Sequence, residues 1–126
     1  MEAMPRMGMA AFCADLSQLT LTQPCDVISM ADVLEHIPYP QTALAAAGRL
    51  LHTGGALLVS MPNTENAVWQ TMDSQNANPY WGEMEHYHNF SRTRLYALPQ
   101  SHGFEPVRYG ISERYRVCME VVAVKR

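Results

Sequence analysis

This chain of 126 residues is short of several things, and each shortage closes off a class of function. Its nine Lys and Arg are outnumbered by twelve Asp and Glu, giving a net charge of −3, and they are scattered apart from Arg92 with Arg94 and Arg114 with Arg116. Such a balance makes no electrostatic footprint for a phosphate backbone or an anionic bilayer, so neither nucleic acid nor a membrane is an expected partner. No run approaches the roughly 18 apolar residues of a membrane span. Cysteine is scarce too: Cys13, Cys25 and Cys118 form no C-x-x-C pair, and an odd count leaves at least one thiol free. Two of them sit in apolar strand patterns, where a thiol behaves as a small buried hydrophobe, and a reducing cytoplasm is the compartment expected. No repeat and no low-complexity tract is present.

What remains is 48% hydrophobic, enough for one domain with a real core but short for a doubly wound enzyme. Residues 9–13 form a continuous apolar run, as expected of a strand covered on both faces, and Asp15-Leu16-Ser17 ends it. The run follows Arg6 but is too short for a secretory signal, so a strand is the expectation. Residues 27–30 are a second such run, bounded by Pro24. Residues 40–51 read as a helix, with Leu44, Ala47, Leu50 and Leu51 on one face, Pro40 at its first position and Gly54-Gly55 as its stop. A third strand follows at 56–61.

From Pro62 to Asn89 the pattern fails, and Trp69, Tyr80, Trp81 and Tyr87 stand among Asn, Gln, Asp and Glu. Connections this long are usually functional or partly helical, and residues 64–72 suit a short helix. Ser91 suits the N-cap of a helix running toward His102, broken or kinked at Pro99, with Gly103 as the stop. Two strands at 107–111 and 115–124, joined by Ser112-Glu113-Arg114, close the chain as an antiparallel pair. The expected architecture is an α/β sheet, mostly parallel with an antiparallel C-terminal strand, with polar segments leaving the carboxyl ends of its strands where such sheets place ligands.

Five stretches in order carry a resemblance: Asp26 to Pro38, the Gly54-Gly55 turn, Pro62-Asn63, Glu85-His86-Tyr87-His88-Asn89-Phe90-Ser91, and Gly103-Phe104-Glu105. Together they resemble the second half of a class I S-adenosylmethionine-dependent methyltransferase, a truncated Rossmann-like sheet whose fourth strand reads "fDvI…vLEHi.dP" and whose fifth reads "L.pGG.l.vs.PN". That resemblance implies methyl transfer to a small-molecule acceptor, with residues 1–126 forming a partial methyltransferase domain and 62–90 a lid or acceptor-side insertion. The family's glycine-rich loop cradles the cofactor because only glycine lets backbone approach so closely, yet no G-x-G occurs here. Nor is there an upstream strand ending in a ribose-binding acid. The expectation is therefore either a fragment of a longer enzyme or a non-catalytic binding or assembly module on the same scaffold. Either way, S-adenosylmethionine should bind weakly or not at all.

The resemblance also assigns residues. Asp15, with Leu16 beside it, matches the acid that accepts from the adenine amine; read from its surroundings alone, Asp15 caps a turn. Met30 and Ala31 match backbone that lies along the cofactor, or simply end a strand. In the pair Glu35-His36, His36 suits a general base titrating near neutrality, or a residue that orients its loop by hydrogen bonding. Trp81, His86 and His88 are expected on the acceptor-side wall, where an aromatic lid excludes water. His86 and His88 would point the same way on an extended segment, but a sparse H-x-H pair more commonly belongs to a polar loop, and no resident metal is expected. The family's strand order, 3-2-1-4-5-7-6, leaves residues 27–30 without a neighbour, so self-association through an exposed sheet edge is expected unless the first strand moves against it.

Overall fold

The computed structural model describes residues 8–10 and 14–126. Four strands, β1 (Cys25–Ala31), β2 (Leu51–Pro62), β3 (Phe104–Ile111) and β4 (Cys118–Lys125), form one sheet in the order β1-β2-β4-β3. β1 lies parallel to β2, while β4 is antiparallel to both β2 and β3. Three strands thus share a direction and β4 alone opposes them. Because β4 sits between β2 and β3, two of the three pairings are antiparallel, so the sheet is mixed where a mostly parallel one was expected.

The helices are α1 (Pro40–Leu50), α2 (Ala67–Ser74) and α3 (Arg92–Gln100). Pro40 begins α1, and Ala43, Leu44, Ala47 and Leu50 turn inward. The helix stops sooner than the glycine pair suggested. Leu51 already has extended backbone, and its fully buried side chain opens β2. Gly54 and Gly55 instead serve an irregularity in β2, where Cys25 pairs with Leu51 but Val27 pairs with Ala56. Gly54 takes φ +86°, and a Cβ on Gly55 would lie 2.9 Å from the His52 carbonyl oxygen and 3.2 Å from that of Asp26. Only a residue without a side chain fits there.

Alternation along the central strands builds the core. Leu57, Val59 and Met61 of β2 face the same side as their partners Ala123, Val121 and Met119 of β4, and all six are fully buried. Leu34, Leu44, Phe90, Leu95 and Phe104 complete this cluster. The opposite face, with Leu58, Ser60 and Val122, is only half-buried, so the strands are covered on one side among the described residues. Burial of each large apolar side chain contributes about 1.5–3 kcal/mol.

The Ser91 hydroxyl accepts from the Arg94 amide at 3.0 Å and caps α3. Pro99 falls in the last turn, so its missing amide costs one bond just where the helix is ending; the Ser101 amide still reaches the Ala97 carbonyl and Gly103 turns away at φ +80°. The closing hairpin is shorter than expected at its tip. Tyr115 to Val117 belong to the turn, where the Ser112 amide donates to the Cys118 carbonyl at 2.9 Å.

The strand expected at 9–13 lies partly outside the described residues; Met9 and Ala10 join no strand. Among the described residues β1 pairs with β2 alone, and its Val27 is 62% exposed. No described helix is long and apolar enough to cross a membrane.

Candidate functional site

At the carboxyl end of β1 the chain turns sharply. The Asp32 amide still donates to the Ser60 carbonyl at 2.8 Å, but Asp32 itself has φ +52°, a left-handed conformation that Asp tolerates better than bulkier residues. A 3-10 turn over Leu34–His36 follows. Leu34 plugs the core, so Glu35 is carried inward behind it and His36 is left at the rim.

A second segment closes over this turn. The amides of Tyr87 and His88 donate to the Glu35 carbonyl at 2.8 and 3.3 Å, and the His36 ring bonds the Glu85 carbonyl through Nδ1 at 3.0 Å. A carbonyl only accepts, so His36 Nδ1 carries a proton, and in the neutral ring the lone pair is on Nε2. His86 packs edge-on against His36 with ring centroids 4.5 Å apart, and Tyr80 stacks on His86 at 6.0 Å.

Two adjoining cavities result, and Asp32 and His36 line both. The larger, about 660 Å³, also borders Val33, Ile37, Met84, Glu85 and Tyr87. The smaller, about 200 Å³, is bounded by Glu35, Pro62, Tyr80, His86, Tyr115 and Cys118. Glu35 is 2% exposed, and neither carboxylate oxygen has a hydrogen-bond partner among the described residues. Burial pushes its carboxyl up to about 7, and the neighbouring Asp32 charge adds to the rise. Burial also lowers the pKa of His86, with His36 acting in the same direction. The Cys118 thiol is pushed up to about 12 by burial, which makes it the inert small hydrophobe expected from sequence.

The remaining residues singled out from sequence fall in different places. Asp15 is exposed and caps the turn over Leu16–Gln18, accepting from the Ser17 amide at 2.8 Å; hydrogen bonds from Ser17 hold its carboxyl below the usual range. Leu16 leans on the core, and Arg49 ties the turn down by donating to the Leu19 and Ser17 carbonyls. Met30 is buried within β1 and Ala31 is exposed at its end, one residue before Asp32.

Of the three acceptor-side residues, His86 alone lines the paired cavities. Trp81 lies outside them, 63% exposed, donating to Asp73 at 2.6 Å and resting edge-on against Trp69. His88 turns the other way, donating through Nε2 to the Pro38 carbonyl while Nδ1 accepts from Arg94. The H-x-H pair is thereby split. Trp69, fully buried, stacks on Tyr80 and packs with Val117 and Cys118, anchoring the 62–90 segment to the β3–β4 turn.

Asp32 and Asn63 escaped the sequence reading. Asn63, buried, accepts through Oδ1 from the amides of Glu65 and Arg92 and so joins the starts of two segments. Its signal was the Pro62-Asn63 pair ending a strand. The signal for Asp32 was an acid directly after one.

Comparison with known proteins identifies the scaffold. Residues 7–109 match the family model for a methyltransferase domain. The chain belongs to that family. A ubiquinone biosynthesis O-methyltransferase from Nitrosococcus oceani is 47% identical over 38 residues, which are 30% of this chain and 16% of that protein. A SAM-dependent methyltransferase from Thermotoga maritima, described as a possible histamine N-methyltransferase, superimposes with a TM-score of 0.73 at 18% identity, over 99% of this chain and 68% of the other. Magnesium protoporphyrin IX methyltransferase from Synechocystis PCC 6803, solved with bound SAH, gives 0.65 at 17% identity, over 90% of this chain and 49% of the other. At these identities the solved structures establish the class I methyltransferase fold.

Proposed function

We propose that this methyltransferase domain serves S-adenosylmethionine-dependent methyl transfer to a small-molecule acceptor, supplying the acceptor side of the site. The observation that carries this reading is the pair of cavities at the carboxyl ends of β1 and β2, where an open α/β sheet places its ligand. Methyl transfer is an in-line displacement at a sulfonium, so it needs alignment and exclusion of water before it needs acid–base chemistry. The segment 85–88, bonded to the Glu35 and His36 turn, forms one wall that provides both. His36 places Nε2 at the rim, where in the neutral ring it can accept a proton from a hydroxyl or ammonium acceptor, while its Nδ1 bond orients the loop. Both roles weighed for this residue from sequence are compatible with the one geometry.

On the cofactor side, Met30 and Ala31 would lie along the methionine end, with Asp15 and Leu16 toward the adenine. No glycine-rich loop lies within this sequence, so binding to this chain alone rests on few directed contacts. Titration of the 15N-labelled chain with S-adenosylhomocysteine tests the reading. Weak binding is expected, with amide shifts concentrated at 15–16 and 30–37. Shifts confined to residues outside those segments would refute the site, and saturable micromolar binding would refute the expectation of weak or no binding.

A further inference from the structure

The smaller cavity holds a cluster of potential metal ligands, of which Glu35 has no part in the proposed methyl transfer. Ligand atoms of Glu35, His36 and His86 all lie within 4.8 Å of one another, with Glu35 Oε1 4.0 Å from His36 Nε2. Three features separate this set from a solvated polar loop. Both Glu35 oxygens are buried without a hydrogen-bond partner among the described residues, although a buried carboxylate normally has several. His86 Nδ1 is buried and unpartnered in the same way. And His36 is committed through Nδ1 to the Glu85 carbonyl, which leaves Nε2 as a lone-pair donor near Glu35. A backbone carbonyl on the far nitrogen is how proteins orient an imidazole that ligates a metal.

We propose that Glu35, His36 and His86 bind a divalent transition-metal ion. One carboxylate oxygen and two imidazole nitrogens form a donor set suited to zinc(II), with a fourth position left for water or for an oxygen or nitrogen atom of a small molecule. Zinc bonds of about 2.0–2.2 Å in a tetrahedron hold ligand atoms roughly 3.3–3.6 Å apart. The Glu35–His36 pair therefore has less than about 1 Å to close, and no pair in the set has more than about 1.5 Å. An ion bound by one Glu35 oxygen and by His86 Nδ1 would satisfy two of the three orphaned atoms. It would sit in the smaller cavity, which shares Asp32 and His36 with the larger one. This site differs from the H-x-H pair visible in the sequence, since His88 is held by Pro38 and Arg94. A bound ion would occupy the His36 Nε2 lone pair that the proposed methyl transfer uses as a base, so metal binding is tested by itself, without a methyl donor.

The test is cobalt(II) titration of the full 126-residue chain after chelator treatment, followed by competition with zinc(II). The expected result is one ion per chain, visible absorption typical of four- or five-coordinate cobalt, and its displacement by zinc. Glu35→Gln and His86→Ala should each weaken binding by at least about 10–100-fold, the loss already produced by removing an outer-shell partner. His52→Ala, at an exposed histidine paired with Asp26, should bind as the parent does. Circular dichroism checks that each variant folds, and Glu35→Gln, being isosteric, keeps the test open if His86→Ala does not. No stoichiometric cobalt spectrum, or full affinity retained in a folded Glu35→Gln variant, would overturn the proposal.

Discussion

Trp69→Ala should cost this domain far more stability than Trp81→Ala, although the two indoles touch. Trp69 is 1% exposed, whereas Trp81 is 63% exposed. A tryptophan buries about 150–250 Å², which at ~25 cal/mol per Å² corresponds to roughly 4–6 kcal/mol as an upper limit. Partial collapse of the surroundings brings the expected loss for Trp69→Ala to about 3–5 kcal/mol. Its indole N–H donates to Asp73 at 3.1 Å, but Asp73 still accepts from Asn78 and Trp81, so truncation orphans no carboxylate. For Trp81, with only about a third of its surface covered, the same arithmetic gives roughly 1–2 kcal/mol. Urea unfolding followed by far-UV circular dichroism measures both, and an unchanged m-value confirms that the midpoint shift reports stability. If Trp81→Ala costs as much as Trp69→Ala, or if Trp69→Ala costs less than about 1 kcal/mol, then Trp69 is not what anchors the 62–90 segment to the β3–β4 turn.

Two further outcomes follow from the sheet. Gly55→Ala forces a Cβ to within 2.9 Å of the His52 carbonyl oxygen, and a loss of about 1–3 kcal/mol is expected in the same urea assay; an unaltered midpoint would mean that the strand shifts freely at this point. We also propose that the free edge of β1 pairs with a second copy, since among the described residues no strand pairs with that edge and Val27 beside it is exposed. Light scattering across a dilution series should show a concentration-dependent mass, and a monodisperse monomer throughout would exclude edge pairing.

The sequence by itself determined the elements that depend on local pattern. The apolar run at 27–30, the strand at 56–61, the Ser91 cap and the Pro40 start are each written within a few residues, because apolar runs, capping and proline geometry act locally. The five ordered motifs were also enough to point to the family. Tertiary structure decided what those patterns were for. Gly54-Gly55 reads as a helix stop until the register of β1 against β2 shows it to be an irregularity within a strand. His86 and His88 read as one pair, yet Pro38 and Arg94 draw His88 away while Tyr80 and His36 hold His86. Trp69 and Trp81 look equivalent in a polar aromatic stretch, and only the position of the β3–β4 turn buries one and leaves the other in solvent. Glu35 shows the limit most plainly: its neighbours in sequence are Leu34 and His36, but its burial and its orphaned oxygens are set by residues 83–90 and 115–118 folding across it. Burial and convergence are properties of chain segments far apart in sequence, and no local pattern encodes them.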